Sequence, residues 1–260
     1  MRRFAYCAVV TGAAVTAMSG CGSDDSGGGT AATTSASSPD GASSLAAAYT
    51  NTVNAGSASI AMTGKVTSGK TSTDTTGKGK VSFKPPATAM TFTSKGKSSE
   101  IRAIGDTAYV RLSSGVWNKI DSGRTTEDVA QDASPVSGLS FLNGVTRTTP
   151  IGTATIRGVQ AQGYRATVDL NKAATAQRSA AQQQLVRSLI KATGSGALSV
   201  DVWLDGRKRV ARERYSVTLS TGKQPITTTS TVDLYDYGTS VTVTPPPHSA
   251  IKSSSTPSPG

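Results

Sequence analysis

The sequence predicts an α+β protein: one large, curved antiparallel sheet with a few helices on one face. Three observations predict it. Apolar and polar residues alternate over long stretches. Short turn sequences join those stretches, so that hairpins follow one another in series. Only a few segments carry helical spacing. Long hairpins in series make an antiparallel sheet, and their number and length require that sheet to curve.

Each element has its own signal. Leu45 to Val53 is Ala-rich and reads as a short helix, ended by Asn54-Ala55-Gly56. Ala58, Ile60, Met62, Gly64 and Val66 then alternate with Ser59, Ala61, Thr63 and Lys65, the pattern of a half-buried strand. Gly77 to Phe83 is a second strand, stopped at Pro85-Pro86, and Thr88 to Thr93 sets Met90 and Phe92 on one face. Glu100 to Ile104 and Thr107 to Leu112 form a hairpin around Gly105-Asp106. A turn at Ser113-Ser114-Gly115 leads into Val116 to Ile120.

Helical signals follow. Thr125-Thr126-Glu127-Asp128 supplies a cap and first-turn acids. Ser134-Pro135 opens a short helix with Pro at its tolerated first position, Gly144 past its end, and Leu139, Phe141 and Leu142 to bury. Strands resume at Thr153 to Arg157 and Gly163 to Leu170. Asn171 is expected to cap the longest helix, Lys172 to Thr193, whose stripe of Ala181, Leu185, Val186, Leu189 and Ile190 ends at Gly194. The last strands are Ala197 to Leu204, Val210 to Leu219, Ile226 to Tyr237 and Ser240 to Thr244, with turns at Asp205-Gly206 and Thr221-Gly222.

The two ends lie outside this pattern. Arg2 and Arg3 precede an apolar run from Phe4 to Met18, and Ser19-Gly20-Cys21 closes it. This is the layout of a secretory signal, and the run is too short for a spanning helix, which needs ~20 apolar residues. A Cys directly after Ser-Gly resembles the lipobox of bacterial lipoproteins, in which the chain is cut before the Cys and the thiol receives diacylglycerol. That resemblance implies cleavage between Gly20 and Cys21, and a mature chain held on the outer face of the cell membrane. Each buried CH₂ contributes roughly 0.8 kcal/mol, so two or three acyl chains hold it stably. Residues 1–20 are thus expected to be a signal peptide, and 21–42 a lipidated Cys with a flexible Gly/Ser/Thr/Ala tether reaching roughly 25 Å. Residues 43–244 form a single domain, and 245–260 a disordered, Pro-rich tail.

Composition excludes several functions. Cys7 leaves with the signal, so the mature chain keeps one Cys, cannot form an internal disulfide, and must be stabilised by its core. The charge of +11 drops by two, to +9, when Arg2 and Arg3 leave. No nucleic-acid-binding motif accompanies the scattered Lys and Arg, so anionic lipid or cell wall is the better match for that charge. The lone His, His248, lies in the expected tail, so no Ser-His-Asp or Cys-His constellation can form in the domain. Asp24 and Asp25 lie in the tether, and Glu127, Asp128 and Asp132 read as a solvated helix face. Asp233 and Asp236 point to opposite faces of a strand. No catalytic residue, metal site or cofactor is nominated, and the chain is expected not to be an enzyme.

The order of these segments, with the patch Ile104-Gly105-Asp106-Thr107-Ala108-Tyr109-Val110, Trp117-Asn118-Lys119 after it, and the strand end Val200-Asp201-Val202-Trp203-Leu204-Asp205, resembles the LppX/LprG-type lipoproteins of actinobacteria. Their fold is shared by the LolA and LolB lipoprotein carriers. The resemblance implies an unclosed barrel with helices across its concave side, and an apolar cavity between them that takes the acyl chains of a lipid or glycolipid. Ile60, Met62, Met90, Phe92, Phe141, Leu142, Leu185 and Leu189 are the candidate lining residues. Trp117 and Trp203 read as structural anchors of the sheet. The alternative is a structural or interaction lipoprotein with a filled core that contacts the cell wall or a protein partner, of which the sequence gives no identity.

Overall fold

The computed structural model describes residues 39–105, 107–113, 115–121, 135–177, 180–219 and 224–252. Cys21, residues 22–38 of the expected tether and the acidic group Glu127, Asp128 and Asp132 lie outside the described residues; residues 39–42, also assigned to the tether, open the first helix instead.

Two antiparallel meanders build the sheet. The first runs through β1 (Ser57–Ser68), β2 (Thr71–Phe83), β3 (Pro86–Ser94), β4 (Lys97–Ile104), β5 (Thr107–Arg111) and β6 (Trp117–Asp121). The second runs through β7 (Val145–Ile156), β8 (Val159–Asp169), β9 (Ala197–Leu204), β10 (Val210–Leu219) and β11 (Ile226–Tyr235). They join where β1 pairs with β11, and the two ends of the strand order do not pair with each other, so the barrel stays unclosed. Pro150 is tolerated because β7 is an edge strand.

Tight hairpins set the register. Arg157 and Gly158 both have positive φ, 50° and 82°, and so form the two-residue connection that matches strand twist between β7 and β8. On β2 a different property of Gly matters. A Cβ on Gly77 would stand 2.9 Å from the Phe92 ring, and one on Gly79 would stand 2.0 Å from the Ala89 carbonyl oxygen. The bare α-carbons let Met90 and Phe92 of β3 lie across β2.

Among the described residues, three α-helices accompany the sheet: α1 (Pro39–Asn54), α2 (Leu170–Thr175) and α3 (Ala180–Thr193). The first packs against β7 and β10, the second against β8, and the third against β10. Thr52 fixes α1, because its buried hydroxyl accepts from the Val210 amide at 3.0 Å. The core lies between this layer and the sheet, with Leu45, Ile60, Val168, Val186, Val200 and Leu204 at its centre.

Several elements depart from expectation. The long helix expected over Lys172 to Thr193 is two helices. Asp169 caps the first, accepting from the Asn171 and Lys172 amides, so Asn171 is not the cap. The break follows from Gln177, whose buried side-chain amide donates to the Ala173 carbonyl at 2.8 Å and takes the acceptor that a continuing helix would use. Pro135–Gly144 is a 3₁₀ helix. Its three-residue turn eclipses Leu139 and Leu142, which are buried, and leaves Phe141 half-buried.

The end of the chain also differs. Ser240 to Thr244 is irregular rather than a strand, and Pro245 to Lys252, assigned to the tail, carries β12 (Ile251–Lys252), which pairs in parallel with β6. This strap crosses the polar face of the first meander. Lys80 Nζ donates to the Ser240 carbonyl at 3.5 Å, and the Arg102 guanidinium to the Thr244 carbonyl at 3.1 Å. His248 sits exposed in the short 3₁₀ turn before β12.

Candidate functional site

The sheet has two chemically opposite faces, because alternate residues of every strand point to opposite sides. The face toward the helices carries Ile60, Met62, Met90 and Phe92 from the first meander. From the second it carries Val200, Val202, Leu204, Val217, Val232 and Leu234. Of the eight residues singled out in the sequence, Ile60, Met90 and Leu142 are 0%, 2% and 1% exposed and sit deep in the core. Met62, Phe92, Phe141 and Leu189 are half-buried against the same cluster. The Leu185 side chain lies outside the described residues.

Strand register arranges this inner face in transverse rows. One row reads Met90, Gly79, Ile60, Leu234 across β3, β2, β1 and β11. The next reads Phe92, Gly77, Met62, Val232, Glu213, Val202, Tyr164 from β3 to β8. The first row is sealed, whereas Phe92 and Met62 in the second remain half-buried. The first row is thus closed core, while Met62 and Phe92 in the second keep partial exposure, Met62 also bordering a recess on the outer face.

Glu213 stands in that second row. It is 2% exposed, lies directly across from Val202 and Val232, and its Oε1 has no hydrogen-bond partner. Burial pushes its pKa up from the ordinary 4.5 to about 7. Tyr215, two residues on and on the same face, has its phenol pushed up by burial first and by the Glu213 charge second, while Ser230 pulls it the other way. The sequence carried a cue to Glu213. It shares strand parity with Tyr215 and Val217, so it faces the core, while Arg212 and Arg214 face out.

The outer face is polar, and its carboxylates Glu100, Asp201 and Asp233 are each held by two arginines. Arg157 and Arg212 reach Asp233 at 3.2 and 2.5 Å; Arg165 and Arg214 both reach Asp201 at 2.7 Å. Arg102 and Arg111 hold Glu100 at 2.9 and 2.5 Å. Burial works to raise the Asp201 pKa, but hydrogen bonds and charge from Arg165 and Arg214 win and lower it. Arg102 and Arg111 also lie over the Trp117 ring at 4.8 and 5.0 Å, and Arg214 over Trp203 at 5.5 Å. A recess of about 580 Å³ opens on this face, lined by Met62, Lys78, Arg157, Arg212, Asp233, Tyr235 and strand threonines. Asp236 follows β11 in an exposed turn, apart from the Asp233 cluster.

Comparison with known proteins finds no matching family model and no matching curated protein. Among solved structures the chain is similar to lipoprotein LppX of Mycobacterium tuberculosis, at 18% identity and TM-score 0.49, over 78% of this chain and 99% of that one. It is similar to LprF of Mycobacterium bovis at 14% identity and TM-score 0.45, over 81% and 98%. A LolA superfamily protein of Nitrosomonas europaea matches at 13% identity and TM-score 0.28, over 75% and 91%.

Proposed function

We propose that this chain is a lipoprotein held on the extracytoplasmic face of the cell membrane through Cys21, and that its inner face holds the acyl chains of a lipid or glycolipid. The observation that carries the second half is the inner face, where a sealed core row adjoins a row whose Met62 and Phe92 stay half-buried. Apolar surface in that position is what an acyl chain covers. Met adapts its shape to irregular partners, which suits Met62 to this role. We read the protein as a binder: the outer-face carboxylates Glu100, Asp201 and Asp233 are each clamped by two arginines, which suits them to holding the sheet together.

Two experiments test the two halves. Cys21→Ser is expected to move the protein from the membrane fraction to the soluble extract; a variant that stays membrane-bound at the wild-type level refutes the anchor. Native mass spectrometry of the Cys21→Ser chain from residue 21 onward, followed by organic extraction, is expected to find a stoichiometric acyl lipid. A mass that stays apo after incubation with membrane lipids supports the other reading, a filled-core lipoprotein that contacts the cell wall or a partner. That reading draws on the complete burial of Ile60, Met90 and Leu142 and on the recess that opens on the polar face.

A further inference from the structure

Glu213 is the one carboxyl on the inner face of the described sheet, and packing does not account for it. The strand alternation that places it there fills the matching positions of β9 and β11 with Val202 and Val232. An apolar residue at 213 would complete the row. Instead a carboxyl group is taken out of water with Oε1 unpartnered, an arrangement that costs free energy unless another group completes it. Along the row, Val232 separates Glu213 from Met62, and Phe92 lies beyond Met62 across Gly77. A ligand covering Met62 and Phe92 reaches Glu213 by continuing along this row past Val232.

We propose that Glu213 is the polar recognition group of the inner face and that it selects an uncharged lipid with a hydrogen-bond donor beside its acyl chains, such as the free hydroxyl of a diacylglycerol. This rests on the reading of the inner face as a lipid site. The chemistry narrows the class. A phosphate in this position would face the carboxyl oxygens in a water-poor setting, where like charges repel. An ammonium group would have to shed its hydration to reach them. A hydroxyl or amide N–H donates to Oε1 and sheds little. Burial raises the carboxyl's pKa to about 7, so near neutral pH it exchanges between acid and carboxylate, and either form offers an acceptor oxygen to a neutral donor.

The test compares two lipids that differ only in the donor, 1,2-dioleoylglycerol and its 3-O-methyl ether, each bound from mixed detergent micelles to the mature Cys21→Ser chain. Wild type is expected to bind the alcohol about tenfold more tightly, the value of one net hydrogen bond. Glu213→Gln, which keeps an acceptor oxygen, retains the preference; Glu213→Leu loses it while holding its circular-dichroism spectrum. If the Leu variant does not fold, Glu213→Met serves for the same comparison, and the wild-type alcohol-to-ether ratio stands without any variant. Equal binding of both lipids by wild type overturns the role of Glu213 and leaves the lipid site in place. A tenfold preference that survives in the Leu or Met variant overturns it as well. Binding of neither lipid removes the lipid reading itself, and this inference with it.

Discussion

Glu213→Gln is expected to stabilise the folded chain by ~3 kcal/mol above about pH 8 and to have little effect near pH 4. The Glu213 carboxyl titrates near its ordinary 4.5 when unfolded and near about 7 when folded, because burial disfavours its charge. A raised folded pKa means that the native state holds the proton more tightly. Its contribution to stability is therefore fully present below the ordinary value and is lost as pH rises through about 7. Beside Glu213 on β10 the titratable neighbour is Tyr215; on the packed helices, Arg187 and Lys191 of α3 are exposed and Tyr49 of α1 is half-buried. Asp201 acts in the opposite sense, since its lowered pKa gives stability that is lost in acid. Both proteins share that effect, so the difference between their urea midpoints across pH isolates Glu213. Midpoint curves that run parallel from acid to base would show that Glu213 is not held in this environment.

The second large effect is steric. Gly79→Ala is expected to cost about 3 kcal/mol or more, at the top of the range for overpacking. The new Cβ would stand 2.0 Å from the Ala89 carbonyl oxygen and 2.8 Å from the Met90 Cα, and both are backbone atoms. A side chain could rotate away; a paired strand cannot without breaking its ladder. Gly64→Ala is the control, because its nearest neighbours lie 4.0 Å away on Thr75. Urea denaturation should separate the two variants by a clear shift in midpoint, and equal midpoints would refute the close approach of β2 and β3.

The sequence made the fold legible where one face is buried and the other is wet. Ala58 to Val66 read correctly because Ile60 and Met62 alternate with Ala61 and Thr63. The pattern failed where a strand extends past the core. Thr71 to Thr76 of β2 are all polar, so β2 was expected to begin only at Gly77. Helical periodicity located α3 but not the break before it, because Gln177 ends the preceding segment through a side-chain bond that apolar spacing does not report. The candidate lining residues all belong to strands or helices the sequence located, yet which of them are sealed depends on tertiary packing that alternation alone does not report. Glu213 escaped notice because a charged residue on a strand reads as outward-facing unless its parity is compared with Tyr215 and Val217.

The pairing of β1 with β11 has a consequence for how the molecule assembles. Each meander pairs strands that are neighbours in the chain, so its hairpins close over short loops. The seam between Met62 and Val232 joins strands far apart in the chain and closes a far longer loop than any hairpin. Until it closes, Met62 and Phe92 lie on one half-sheet and Glu213 on another. The row that unites them exists only once the seam has formed, and the folding chain carries two exposed strand edges in need of protection until it does.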